Sequence, residues 1–318
     1  MADLETLRSR FRGSLLGLAA GDALGTTLEF KSPGSFAPIS GMVGGGPFRL
    51  KPGQWTDDTS MALCLAESLV ERRGFDPVDQ LKRYCAWMDH GHMSSRGDCF
   101  DIGGTCKAAL RRFQESGEKN PACGLTEESS AGNGSIMRLA PVPLAFAALP
   151  KDAVKKSGES SMTTHAVKDS VDACRYLGGL ITAAVRGASK EALVSERFAP
   201  VPGMWKASPL SPAIDEVAMG SFKRLEPPKI KGTGHVVRSL EAALWAFHKS
   251  SGFEHGALLA VNLGDDADTT GAVYGQLAGA FYGEEAIPED WRKKLAMNSV
   301  IAGYADKLLE LAQTMGDL

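Results

Sequence analysis

The sequence is short of the residues that build sheets. It has 16 Val and 8 Ile against 41 Ala and 33 Leu. β-Branched side chains favour strands, whereas Ala and Leu favour helices. No run of alternating apolar and polar residues is long enough to mark a strand. Charge of one sign is also missing: 35 Lys and Arg stand against 38 Asp and Glu, a net of -3. That balance excludes a strongly basic nucleic-acid binder. No apolar stretch approaches the roughly 20 residues that span a bilayer. The opening MADLETLRSRFRG lacks the basic-then-apolar plan of a signal peptide. Cys64, Cys85, Cys99, Cys106, Cys123 and Cys174 show neither a CxxC nor the dense spacing of a disulfide scaffold. These absences predict a soluble chain of the reducing cytoplasm, with neither membrane nor nucleic acid as partner.

What is present is helical periodicity. Leu7, Phe11, Leu15 and Leu18 share one face, as do Met61, Leu65 and Leu69. Further stripes run through Val167, Val171, Cys174, Ile181 and Val185, through Val237, Leu240, Leu244 and Phe247, and through Trp291, Leu295, Leu308 and Leu311. The expected fold class is all-α. Glycines cluster at 41–48, 100–104, 131–135 and 231–235 and read as joints between helices. The stretch from Ala199 to Pro228 is rich in Pro, Ser and Lys, and residues 199–234 read as a long surface loop or lid within a single domain over 1–318. Trp55, Trp87 and Trp245 read as core residues.

Two acidic clusters precede helical patterns. GQWTDDTS places Thr56, Asp57, Asp58 and Thr59 before the apolar run from Met61, and GDDADTT places Asp265, Asp266, Asp268, Thr269 and Thr270 before a helix of small residues. Helix capping accounts for either cluster taken alone. Capping needs one or two oxygens, however, and each cluster supplies four or five. Adjacent surplus carboxylates repel one another unless a cation neutralises them. The donors are all oxygen, a set that selects Mg²⁺ or Mn²⁺ over Zn²⁺. Elsewhere the residues taken alone have ordinary readings. Asp101 in CFDIGG would cap a helix start before Thr105, and Glu29 would be a paired or solvated side chain. Gly132, Asn133, Gly134 and Ser135 would open an apolar helix, either as an N-cap or as an anion-binding loop. His165 would be a structural histidine.

Six segments in order resemble the ADP-ribosylglycohydrolase family: GSLLGLAAGDALGTTLEF (13–30), GQWTDDTSMALCLAESL (53–69), SSRGDCFDIGGTC (94–106), GNGSIMRLAPVPL (132–144), TTHAVKDSVDACRYLGGLI (163–181) and GDDADTTGAVYGQLAGAFYG (264–283). The resemblance implies a compact orthogonal bundle with a dinuclear metal site between helix N-termini. It implies Thr56, Asp57, Asp58, Asp266, Asp268 and Thr269 as ligands of two divalent cations, Mg²⁺ or Mn²⁺. Gly264-Asp265 stands where many relatives have two glycines, so Asp265 is read as a supporting or capping residue. Asp101 becomes the carboxylate acting on the ribose in arginine-type relatives, with Glu29 a second candidate near the metals. Gly132, Asn133, Gly134 and Ser135 become the diphosphate loop, and His165 lines the ribose or phosphate pocket. The implied activity is hydrolysis of ADP-ribose from an ADP-ribosylated protein, with arginine favoured by FDIGG, and the expected state is a monomer. The alternatives are another ADP-ribosyl linkage (serine, O-acetyl-ADP-ribose, a nucleobase), a non-catalytic ADP-ribose-binding module, or a structural protein of the lens-crystallin kind.

Overall fold

The computed structural model describes residues 3–318. The Ala- and Leu-rich stretches form sixteen α-helices. In chain order these are α1 (Leu4–Gly25), α2 (Asp57–Glu71), α3 (Pro77–His90), α4 (Gly104–Glu115), α5 (Pro141–Ala145), α6 (Pro150–Met162), α7 (Lys168–Val185) and α8 (Lys190–Leu193). There follow α9 (Met204–Ala207), α10 (Pro212–Ala218), α11 (Ser221–Arg224), α12 (Val236–Lys249), α13 (Phe253–Val261), α14 (Ala267–Tyr282), α15 (Glu289–Lys294) and α16 (Asn298–Met315). No strand forms among the described residues; isolated bridges join Gly45 to Leu50, Leu125 to His165 and Gly132 to His235. The apolar stripes fill one core that holds Trp55, Trp87 and Trp245, with Cys64, Cys85 and Cys174 packed as small apolar groups. No helix of the described residues is long and apolar enough to cross a membrane.

The centre of the molecule is the pairing of α1 with α14. Gly13, Gly17, Gly21 and Gly25 recur every fourth residue and form one face of α1. A methyl group on Gly13 would lie 2.3 Å from the Gly279 carbonyl oxygen, and one on Gly17 would lie 2.4 Å from that of Gly275. On Gly21 it would sit 2.0 Å from the Gly271 oxygen. The order of the pairs makes the helices antiparallel, and the missing side chains let their backbones touch. The C-terminal turn of α1 therefore meets the N-terminus of α14, where the second acidic cluster begins.

Residues 199–234 differ from the long loop or lid expected. They carry α9, α10 and α11, and bury Ile214, Val217, Phe222 and Ile230. Asp172 of α7 accepts a hydrogen bond from the Ser211 N–H at 2.7 Å, tying the segment down. Its Pro and Ser residues start α10, with Ser211 the N-cap and Pro212 the first residue, while Gly203 and Gly220 are the N-caps of α9 and α11.

Candidate active site

Asp22 organises the first acidic cluster from the neighbouring helix. It is fully buried on α1, and its Oδ1 accepts from the Thr56 N–H at 2.9 Å and the Thr56 hydroxyl at 3.0 Å. Its Oδ2 accepts from the Thr59 N–H at 3.0 Å and the Thr59 hydroxyl at 2.6 Å. Asp22 thus supplies the cap of α2, for Thr56 caps it with no side-chain hydrogen bond. The Thr56 oxygen, so fixed, lies 3.1 Å from Asp58 Oδ2 and 3.3 Å from Asp268 Oδ2. One hydroxyl proton faces three carboxylates.

Two triads of carboxylates converge there. Oxygens of Asp22, Asp58 and Asp268 lie within 4.8 Å of one another, as do those of Glu29, Asp101 and Asp268. Asp58 Oδ1 and Glu29 Oε2 are buried with no hydrogen-bond partner. Burial, reinforced by Asp101 and Asp58, pushes Asp57 well above the usual carboxylate range. Asp58 and Asp268 are raised well above it too, first by burial and then by their acidic neighbours. Burial raises Asp22 to about 6, against the pull of its four hydrogen bonds. Asp101 reaches about 7 through burial and the charges of Asp22 and Asp266. Glu29 is pushed up to about 9 by burial and by Asp101. Buried carboxylates that crowd and leave oxygens unpaired fit a multivalent cation, and their hard oxygens fit Mg²⁺ or Mn²⁺. Asp22 has all four of its acceptor positions filled, so it supports the site rather than offering a free oxygen to it.

The acidic floor opens into a cavity of about 380 Å³ lined by Asp57, Asp101, Glu29, Asp266, Asp268 and Thr269 on one side. Gly132, Asn133, Gly134, Met137, His165 and Gly234 line the other. Asp101 reaches the cavity from a left-handed backbone conformation, φ 61°, just before α4. Such a conformation is costly for a residue with a Cβ and is retained where the surroundings impose it. The glycine loop does not open a regular helix as expected: residues 134–138 form turns, and α5 starts only at Pro141. Asn133 donates from Nδ2 to Asp266 at 2.8 Å, which ties the loop to the second acidic cluster. The Ser135 hydroxyl faces away from the cavity and accepts from Ser161 at 2.8 Å in the core. A methyl on Gly134 would come within 2.8 Å of His165 Cε1, so the loop and the imidazole are in van der Waals contact.

Residues 3–317 match the family model of ADP-ribosylglycohydrolases. The chain belongs to that family. It is 40% identical over 301 residues to the ADP-ribosylarginine hydrolase Tri1 of Serratia proteamaculans, covering 95% of this chain and 79% of the relative. It is 34% identical to the ADP-ribosyl-[dinitrogen reductase] glycohydrolase of Rhodospirillum rubrum, covering 96% and 98%. A solved structure titled ADP-ribosylglycohydrolase-related protein complex superposes with a TM-score of 0.84 at 42% identity, covering 97% of this chain and 100% of that one.

Within this ADP-ribosylglycohydrolase the structure brings Thr56, Asp57, Asp58, Asp266, Asp268 and Thr269 to one site, with Asp101 and Glu29 beside them. Gly132, Asn133, Gly134 and His165 reach the same cavity; Ser135 does not. Sequence reasoning missed Asp22, although the signal was there: a lone carboxylate inside LLGLAAGDALG, an otherwise apolar and small run. Asp265 has a definite place. Its N–H donates to the Lys31 carbonyl at 2.8 Å and its carbonyl accepts from the Phe30 N–H at 2.7 Å. Phe30 and Asp265 both have positive φ, 60° and 54°. This backbone clasp holds the Glu29 loop against the second cluster.

Proposed function

We propose that the protein is a divalent-metal-dependent hydrolase that removes ADP-ribose from arginine side chains of modified proteins. The observation that carries the reading is the convergence of Asp58, Asp268, Glu29 and Asp101 under a glycine loop, with buried oxygens left unpaired. The arginine preference is supported by the 40% identity to a named ADP-ribosylarginine hydrolase and by the FDIGG segment carrying Asp101.

Thr56, Asp57, Asp58, Asp266, Asp268 and Thr269 would hold two Mg²⁺ or Mn²⁺ ions. Bound there, the ions would orient the ribose hydroxyls and make water a better nucleophile. The N–H groups of Gly134 and Ser135, which have no backbone partner among the described residues whereas those of Gly132 and Asn133 donate to Ser130 and Gly234, would bind the diphosphate and bring the reacting carbon over the carboxylates. Cleavage breaks the bond between the anomeric carbon and the guanidine nitrogen, and the electron pair leaves with nitrogen. Asp101, in surroundings that favour its protonated form, gives that nitrogen a proton. Water bonds to the carbon through its oxygen, and the Asp101 carboxylate, left ionised by that transfer, receives the proton that water loses, with Glu29 beside it held in its protonated form. The sugar passes through a transition state with oxocarbenium character, stabilised by the surrounding negative charge.

The test is release of ADP-ribose from an arginine-ADP-ribosylated protein, with Mg²⁺ or Mn²⁺ and with EDTA. Metal-dependent release is expected, abolished in Asp58→Ala and Asp268→Ala. Asp101→Asn should lower kcat by roughly 10²–10⁴-fold while ADP-ribose still binds. Full activity in EDTA would defeat the metal reading. Release from ADP-ribosylserine but not ADP-ribosylarginine would replace the linkage.

A further inference from the structure

Behind the glycine loop lies a buried cation that the reaction scheme leaves unused. Arg138 is fully buried, and its charge faces Tyr84, Cys106 and Cys174 rather than any carboxylate. Its guanidinium is held by neutral acceptors. Nη1 donates to the Gly134 carbonyl, Nε to the Tyr84 hydroxyl at 3.2 Å, and Nη2 to the Thr164 hydroxyl at 2.7 Å, with a longer contact to Thr163 at 3.4 Å. The Thr164 oxygen also lies 2.9 Å from His165 Nδ1.

These contacts fix the direction of the Arg138 protons and leave one for Thr164 to give. A guanidinium only donates, so the Thr164 oxygen accepts from Arg138. The one hydroxyl proton of Thr164 is then free to point at His165 Nδ1, 2.9 Å away, with Nδ1 as its acceptor. An imidazole that accepts at Nδ1 carries its proton on Nε2. His165 is 2% exposed and lines the cavity, and its Nε2 has no protein partner among the described residues. A methyl group on either Gly132 or Gly134 would lie 3.2 Å from that nitrogen. With Nδ1 accepting, the ring aims its only donor between the two loop glycines.

We propose that Arg138 and Thr164 form a relay that fixes the His165 tautomer, so that Nε2–H is presented as a donor to an anion seated on the glycine loop. On the functional reading above, on which this rests, the anion is the diphosphate of the ADP-ribosyl group. Arg138 and Thr164 are positioning residues; His165 is the one that touches the ligand. The burial of Arg138 without an acidic partner works in the same direction, because its field at the loop favours negative charge. Burial and Arg138 also hold the His165 imidazole down to about 3, so that it is neutral when it donates. Lowered basicity does not weaken the design, since a neutral ring with a fixed tautomer still donates one hydrogen bond.

The experiment is ¹⁵N NMR of the histidine rings in the Mg²⁺-loaded protein, with the His165 signals assigned through His165→Gln. At neutral pH the wild type should show the Nε2–H tautomer, and its Nε2–H resonance should move on adding ADP-ribose. Thr164→Val keeps the shape and removes the hydroxyl. It should mix the tautomers and weaken ADP-ribose binding by roughly tenfold, the value of one hydrogen bond to a charged group. Thr164→Ser should restore both. An Nδ1–H tautomer or an imidazolium in the wild type overturns the relay. So does wild-type affinity in a folded Thr164→Val, or an Nε2–H signal unmoved while ADP-ribose binds. A wild type that ignores ADP-ribose defeats the functional reading instead, and the ring tautomer still decides the relay.

Discussion

Asp22 commits its whole carboxylate to the start of α2, through Thr56 and Thr59. Its replacement by Asn keeps one acceptor oxygen and turns the other position into a donor facing the Thr59 N–H, which has nothing to accept with. Asp22→Asn should therefore displace Thr56 and weaken Mn²⁺ binding by at least tenfold, measured by calorimetry or by the Mn²⁺ EPR signal. Unchanged affinity would show that the Thr56 position does not depend on α1. Single residues also set what could be read in advance. Asp57, Asp58, Asp266 and Asp268 stood out as local clusters beside helix starts, and the structure gathers them. Asp22 and Arg138 were silent because their partners lie far along the chain: Thr56 is 34 residues from Asp22, and Thr164 is 26 from Arg138. The direction of the Ser135 side chain was silent for the same kind of reason, since the sequence does not say that its hydroxyl meets Ser161 in the core.

The helices themselves were legible, because apolar residues repeated at helical spacing. What could not be read is how closely two of them approach. Period-four glycines in α1 look like breaks in a helix, each costing about 1 kcal/mol relative to Ala in isolation. Against α14 they become the contact surface. Gly21→Ala would drive a methyl into the Gly271 carbonyl at 2.0 Å, just as a methyl added at Gly271 would meet the Gly21 oxygen at 2.4 Å. Parting the helices to make room should cost roughly 1–3 kcal/mol or more of stability. The same shift would move Asp268 away from Thr56 and lower cation affinity. Thermal melts with and without Mg²⁺ would check both effects: Gly21→Ala should lose Tm in EDTA and also part of the Tm gained on adding metal. A variant that melts like wild type in both conditions would show that the two backbones are not in contact. The loop expected over 199–234 failed as an element for a different reason: its Pro and Ser residues read as linker composition, yet they begin helices whose apolar sides pack on α7 and α12.

For the whole molecule the crowded carboxylates set a dependence on pH. Asp22, Asp101 and Glu29 have folded-state values of about 6, 7 and 9, all above those of an unfolded chain. A group raised by folding stabilises the protein below its unfolded value and loses that contribution as pH rises through the folded one. Metal-free protein in EDTA should therefore lose Tm as pH rises from about 5 to 9. A cation reverses the sign, because it binds the ionised carboxylates. The Tm gained on adding Mg²⁺ should grow over the same interval, and a constant or shrinking gain would mean that these carboxylates do not meet the ion.

The pairing of α1 with α14 also has a consequence for timing. One wall of the site is fixed by Asp22 near the beginning of the chain, the other by Asp266 and Asp268, more than 240 residues later. During synthesis the first acidic cluster must wait, unmatched, until α14 emerges and docks its glycines along α1. A nascent chain therefore has no working half-site. The glycine face of α1, stripped of side chains, has no close partner until α14 is made. The site is completed in one step, when α1 and α14 find each other.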